Sequence, residues 1–206
     1  EAQRQFDEAK GKQGEATILT YVGQQAAQAG QLARAREGER LAAVAARRKP
    51  ADSSSTHAWN LALAGRLGPA RDEARAVLKE FPEDRARIET AALALARAGE
   101  AAEAGKLAGA LAARYPENTL LHARGLAWVR AASALTRGRG QEAIDHLAAS
   151  KPYDRAEVTS HYLRGLAYLQ LKAAPDALAA FQVIIDRPQI DQFSIVHSLA
   201  RLGKAR

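Results

Sequence analysis

The residues most able to bind a metal or move a proton are five histidines, at positions 57, 122, 146, 161 and 197. None lies three or four residues from another, the spacing that puts two ligands on one helix face. The pattern therefore predicts no metal site and no metal cofactor, and His161 reads as a side chain that caps or packs at a helix start. The stretch "GEAAEAGKL" at 99–107 has the outline of a phosphate-binding loop. Its glycines are one residue too far apart, Leu107 stands where a magnesium-binding hydroxyl is needed, and no strand precedes it. It reads as a turn at Gly99. "RGRG" at 137–140 could touch a nucleic-acid backbone, but it is a single copy at a turn. Ser53, Ser54 and Ser55 have no base partner nearby in sequence and suit the N-cap of a helix containing Trp59. The chain has no cysteine, which removes thiolate nucleophiles, disulfides and cysteine-based metal sites together. No glycine-rich loop after a strand, no His-Arg-Asp loop and no Asp-Phe-Gly occurs. The sequence thus predicts no catalytic residue, no cofactor and no enzyme.

The elements that would carry these residues are helical. Alanine and leucine dominate the 206 residues, aromatics make up 5%, methionine is absent, and no run of Val, Ile, Thr and Tyr alternates at period two. Breaks are expected at Gly30, 49–55, Gly68–Pro69, 81–84, Gly99, 115–118, 138–140, 152–154, 173–175 and 187–192. Helices of about 12–18 residues fall between them. Connections this short force neighbouring helices to pack antiparallel. The net charge of +7 permits a nucleic acid or an acidic partner, yet arginine is scattered along the chain. The densest run, Arg47, Arg48 and Lys49 before Pro50, suits the last turn of a helix, where cations interact favourably with the dipole. Nucleic acid is therefore the less favoured partner. No apolar run approaches the roughly 20 residues that span a bilayer, so this segment is not expected to insert in a membrane. The chain opens on "EAQRQFDEAKGK" without methionine and ends inside a helical pattern, and reads as a piece of a longer protein. Cysteine usage leaves the compartment open: cytoplasmic, or extracytoplasmic if a membrane span precedes this piece.

The helical hairpins repeat. In "RGLAYLQLKAAPDALAAFQ", Gly165 is followed by Tyr168, a turn, Ala177 and Phe181. "LTYVGQQAAQAGQLARARE" carries Leu19, Val22, Gly23, a turn at Gly30, and Ala35. The stretch 88–118 carries Ile88, Ala91, Ala92, Leu95, a turn at Gly99, then Ala104, Ala108, Leu111 and Pro116. The stretch 132–154 gives Ala134, Gly138, Ala143 and Leu147, and "SLARLGKAR" restarts the phrase with Leu199, Leu202 and Gly203. These residues resemble the tetratricopeptide repeat (TPR) family, whose period is about 34 residues. The hairpin from 57 to 82 fits least well, because Gly68 to Ala74 is one residue too long. A narrower resemblance, carried by the phrases at 115–154 and 162–188, is to the C-terminal helical-repeat regions of large bacterial serine/threonine protein kinases. It implies a non-catalytic region of a signalling protein whose kinase domain lies elsewhere.

The TPR resemblance implies a right-handed α-solenoid of stacked antiparallel helix hairpins as a single array over 1–206. The expected hairpins are 16–50, 55–82, 85–116, 119–152 and 158–188, with a truncated repeat at 194–206. Small residues at Gly23, Gly165 and Gly203 on first helices, and Ala35, Ala104, Ala143 and Ala177 on second helices, should allow close crossing. Tyr168 and Phe181 should fill the space beside the contact. In such arrays the first helices line a concave surface that takes a peptide or protein. Thr20, Gln24, Glu89, Trp128 and Tyr162 are expected to face it. The family's clamp for a terminal carboxylate uses Lys and Asn on first helices; here Thr20, Glu89 and Trp128 stand in the comparable places, so that mode is not expected. The partner is therefore a protein or peptide, with self-association as a further option because uncapped terminal repeats leave apolar faces exposed.

Overall fold

The computed structural model describes residues 15–28, 30–48, 55–192 and 194–205. Lys49, Pro50, Ser53 and Ser54 lie outside them, as do the side chains of Gln24 and Ala35. Every regular element among the described residues is helical. The order is α1 (Glu15–Gln28), α2 (Leu32–Arg48), α3 (Ser55–Leu63), α4 (Leu67–Glu80), α5 (Arg85–Arg97), α6 (Ala101–Arg114), a π-turn (Leu121–Gly125) running into α7 (Leu126–Thr136), α8 (Gly140–Leu147), a 3-10 turn (Ala148–Tyr153), α9 (Thr159–Gln170), α10 (Ala174–Ile185) and α11 (Val196–Lys204).

One chain reversal recurs five times. Gly30, Gly65, Gly99, Gly138 and Lys172 have φ between +58° and +94°, at intervals of 35, 34, 39 and 34 residues. The residue after each donates its N–H to a carbonyl five positions back: Gln31 to Ala26, Arg66 to Leu61, Glu100 to Leu95, Arg139 to Ala134 and Ala173 to Tyr168, at 2.8–3.0 Å. This is the six-to-one bond that ends a helix through a left-handed residue, a conformation that glycine adopts without steric cost. Ala70, Ala104, Ala143 and Ala177 each follow their reversal by five residues and are buried. The break expected at Gly68–Pro69 is thereby corrected to Gly65. Gly68 and Pro69 sit in the first turn of α4, where a proline removes no needed hydrogen bond. With the turn at Gly65 and its alanine at 70, the hairpin that fitted least well keeps the common spacing.

The opposite connections also repeat. Phe81-Pro-Glu-Asp84 and Tyr115-Pro-Glu-Asn118 stand 34 residues apart. In both, the last residue caps the helical segment after it: Asp84 Oδ1 accepts from Arg87 N at 3.1 Å, and Asn118 Oδ1 from Leu121 N at 2.9 Å.

Helix contacts follow from which faces are apolar. The odd helices α3, α5, α7, α9 and α11 touch one another in sequence, and each of α4, α6, α8 and α10 packs against the two odd helices that flank it. A helix covered on several sides must be apolar nearly all round. Accordingly α5 buries Ile88 and all of Ala91–Ala96, and α7 buries Ala131–Leu135, whereas α6 buries only the stripe Ala104, Ala108 and Leu111. The first hairpin packs on itself through Gly23 and Gly38: a Cβ built at Gly38 would lie 2.7 Å from Gly23 Cα. Gly38 is thus the close partner of Gly23, and α1 also touches α11.

Gly165 and Gly203 answer to a single ring. A Cβ at Gly165 would fall 2.4 Å from Phe181 Cε1, and one at Gly203 would fall 2.6 Å from Phe181 Cζ. The fully buried Phe181 phenyl of α10 is clasped between the backbones of α9 and α11. Burying a phenylalanine contributes on the order of 1.5–3 kcal/mol, which exceeds the ~1 kcal/mol that a mid-helix glycine costs.

Candidate interaction site

Across α5, α7 and α9 runs a chain of polar and aromatic side chains. It begins at the α5 N-terminus, where Arg85 Nη1 donates to Glu89 Oε2 at 2.8 Å one helical turn on. The Glu89 carboxylate lies over Gly125: a Cβ there would come 2.2 Å from Oε1. Gly125 closes the π-turn, and π-turns inside helices recur at functional sites. Burial pushes the Glu89 carboxyl above its usual range, and the nearby Arg85 and Arg124 guanidinium groups oppose that shift. From the same turn, Arg124 places its guanidinium 5.0 Å from the centre of the Trp128 ring. Among the described residues Arg124 makes no ion pair, and its buried Nε has no hydrogen-bond partner.

The half-buried Trp128 is held from beneath. Its indole N–H donates to Ser160 Oγ at 2.7 Å, Ser160 donates to Ser150 Oγ at 2.9 Å, and Ser150 donates to the Leu147 carbonyl at 2.8 Å. Arg164 Nη2 donates to that carbonyl and to Ser150 Oγ, while its Nη1 donates to Asp154 Oδ2 at 2.6 Å. Glu157 Oε2 accepts from Ser160 N at 2.9 Å, which caps α9. Both serine hydroxyls are fully buried with their protons committed, so they serve as a relay that fixes the indole. The arrangement presents a rigid half-exposed indole, a cation with open donors and a carboxylate in a partly desolvated setting.

Of the residues expected on this face, Glu89 and Trp128 are brought together across α5 and α7. Tyr162 is a correction: it is 5% exposed, its ring centroid 6.2 Å from Phe181, because α9 is covered by α7, α8, α10 and α11 and has little free face at that turn. Thr20 is half-buried on α1, away from this cluster, and has an interaction partner of its own. Gln24 lies on α1 with its side chain outside the described residues. Sequence reading missed Arg85, Arg124 and Ser160. A signal for Arg124 existed in the "HARG" that precedes Leu126, but an arginine next to a glycine in a helix carries no mark of a π-turn.

Three of the five histidines act as joints. His122, His161 and His197 each present Nε2 to a carbonyl seven residues back, those of Tyr115, Asp154 and Ile190, at 3.0, 3.1 and 2.8 Å. Each ties the start of an odd helix to the connection before it. His146 lies instead 3.6 Å from Glu142 on α8. No group of three metal-binding side chains occurs among the described residues, and no helix there is long and apolar enough to cross a membrane. No family model, no curated protein and no solved structure matches the chain.

Proposed function

We propose that the hairpins from α3 onward form a right-handed α-solenoid of the tetratricopeptide kind, and that the chain is a non-catalytic module that binds a protein or peptide on the face shared by α5, α7 and α9. The observation that carries this reading is the recurrence of one reversal, with the same bond and the same following alanine, down a row of odd helices in mutual contact. Repeated units stacked in this way present a continuous surface instead of a closed cavity. Trp128, Arg124 and Glu89 supply the anchor, the open donors and the counter-charge on that surface. On the sequence resemblance, we assign the module to the non-catalytic part of a bacterial signalling protein such as a serine/threonine kinase.

Two measurements test this. A compact chain of 206 residues has a radius of gyration of about 17 Å; small-angle scattering from an open array is expected well above that value, and a result at it would remove the solenoid. An array of immobilised 12-residue peptides, probed with the wild type and with Arg124→Glu, tests binding. Selected peptides should lose about tenfold or more in affinity in the variant, as for a charge-assisted contact. Peptides that bind both proteins equally would remove the site. Tight binding of RNA or DNA that falls steeply with salt would assign the basic charge to phosphates instead.

A further inference from the structure

On the side of α7 away from Arg124 and Trp128 lies a half-open cleft of about 250 Å³ between α6, α7 and α8. Its α6 wall is nearly bare. Gly105 and Gly109 line it one turn apart, and a Cβ built on either would meet nothing within 4 Å. A glycine inside a helix is disfavoured against alanine, and here no neighbour requires the missing methyl. The contrast is with Gly165 and Gly203, where Phe181 occupies the space. Gly105 and Gly109 are exposed and leave this wall of the cleft open.

The facing wall on α7 is polar, with Arg130, Ser133 and Arg137 at i, i+3 and i+7. Arg137 donates to Glu142 Oε1 at 3.1 Å, and Glu142 also takes Arg139 at 3.2 Å and lies 3.6 Å from His146, which closes the cleft from α8. Arg130 has no such counter-charge. It is exposed and, among the described residues, makes no ion pair or hydrogen bond. Ser133 is 7% exposed, lines the cleft, and its hydroxyl makes no hydrogen bond. Its oxygen reaches the open side of the cleft and is free to bond a group placed there. Ala108 and Val129 give the cleft an apolar floor.

We propose that this cleft binds one carboxylate carried on a slim apolar stem, with the carboxylate on Arg130 and Ser133 and the stem along Gly105 and Gly109. One uncompensated cation matches a monoanion, and a doubly charged phosphate would leave a charge unpaired. The stem comes from a free short-chain acid or from a glutamate side chain in a peptide.

The test titrates the full chain with hexanoate, with hexanol, and with an acetylated, amidated Ala-Ala-Glu-Ala-Ala peptide, following backbone amide shifts of α6 and α7 by NMR. Hexanoate should give saturable shifts at Gly105, Gly109 and Ser133, and hexanol should bind about tenfold more weakly or less. Arg130→Gln should weaken hexanoate by a similar factor. Gly105→Leu, whose Cβ would meet no neighbour within 4 Å and whose longer side chain reaches into the cleft, should abolish the shifts with an unchanged circular dichroism spectrum. Saturation by the peptide at lower concentration than by hexanoate assigns the glutamate source, and the reverse order the free acid. No saturable shift with either carboxylate, or equal affinity in wild type, Arg130→Gln and Gly105→Leu, overturns the proposal.

Discussion

Two glycines in helix interiors should respond to the same substitution with opposite sign. In Gly165→Ala the new methyl starts 2.4, 2.6 and 2.8 Å from Cε1, Cζ and Cδ1 of Phe181. Carbon atoms prefer about 3.5–4.0 Å, so the ring must retreat by about 1 Å. It has no room to do so. Gly203 backs it on the far side, with Cζ within 2.6 Å of where a Cβ would stand, and the ring is fully buried. Overpacking of this kind costs about 1–3 kcal/mol. Replacing a mid-helix glycine by alanine returns about 1 kcal/mol. Gly165→Ala should therefore be destabilising by up to about 2 kcal/mol. Gly105→Ala, with nothing within 4 Å, should be stabilising by about 0.5–1 kcal/mol. The difference between the two variants cancels the propensity term and isolates the clash. Urea unfolding at a common slope measures both midpoints. Equal shifts of the same sign in the two variants would refute the claim that Phe181 is clasped by bare backbone.

Lys172 holds the left-handed position that glycine holds at the other four reversals, with φ at 58°. Lys172→Gly should stabilise by up to about 1 kcal/mol, the relief of the strained conformation being partly offset by chain entropy, as read from thermal unfolding. Asp84→Ala removes the side-chain acceptor for Arg87 N at the head of α5 and should cost about 1 kcal/mol; Asp84→Asn should restore most of it in the same urea assay. The carboxyl of Glu89 is raised above 4.5 in the fold, chiefly by burial, so the folded chain binds that proton more tightly than the unfolded one. Its contribution to stability is greatest below 4.5 and declines as pH rises through the raised folded value. Glu89→Gln should flatten that decline, and parallel stability-versus-pH curves for the two proteins would contradict it.

The helices and their reversals were legible from residue types alone because both are local. A glycine that ends an alanine-leucine run, with alanine five residues on, marks Gly30, Gly99 and Gly138 whatever the surroundings, and the same reading marked Gly165 and Gly203 as close contacts. It failed at Gly68–Pro69, where two turn-forming residues stand beside Gly65 and only backbone bonding distinguishes a reversal from a first helical turn. The lysine at 172 carries no sequence mark of its left-handed backbone.

What the chain alone fixes is the all-helical class, most of the reversal positions and the lack of cysteine chemistry, since dihedral preference and 3.6-residue periodicity act within one helix. Which side chains remain at the surface was decided by tertiary packing. Tyr162 and Trp128 both stand on odd helices, yet α10 carries Phe181 against the first, while the second stays half-exposed with its indole pinned to Ser160. The bare wall at Gly105 and Gly109 faces Arg130 only because α6 lies on α7. Burial depends on neighbours that are distant in sequence, and no property of a single helix records them.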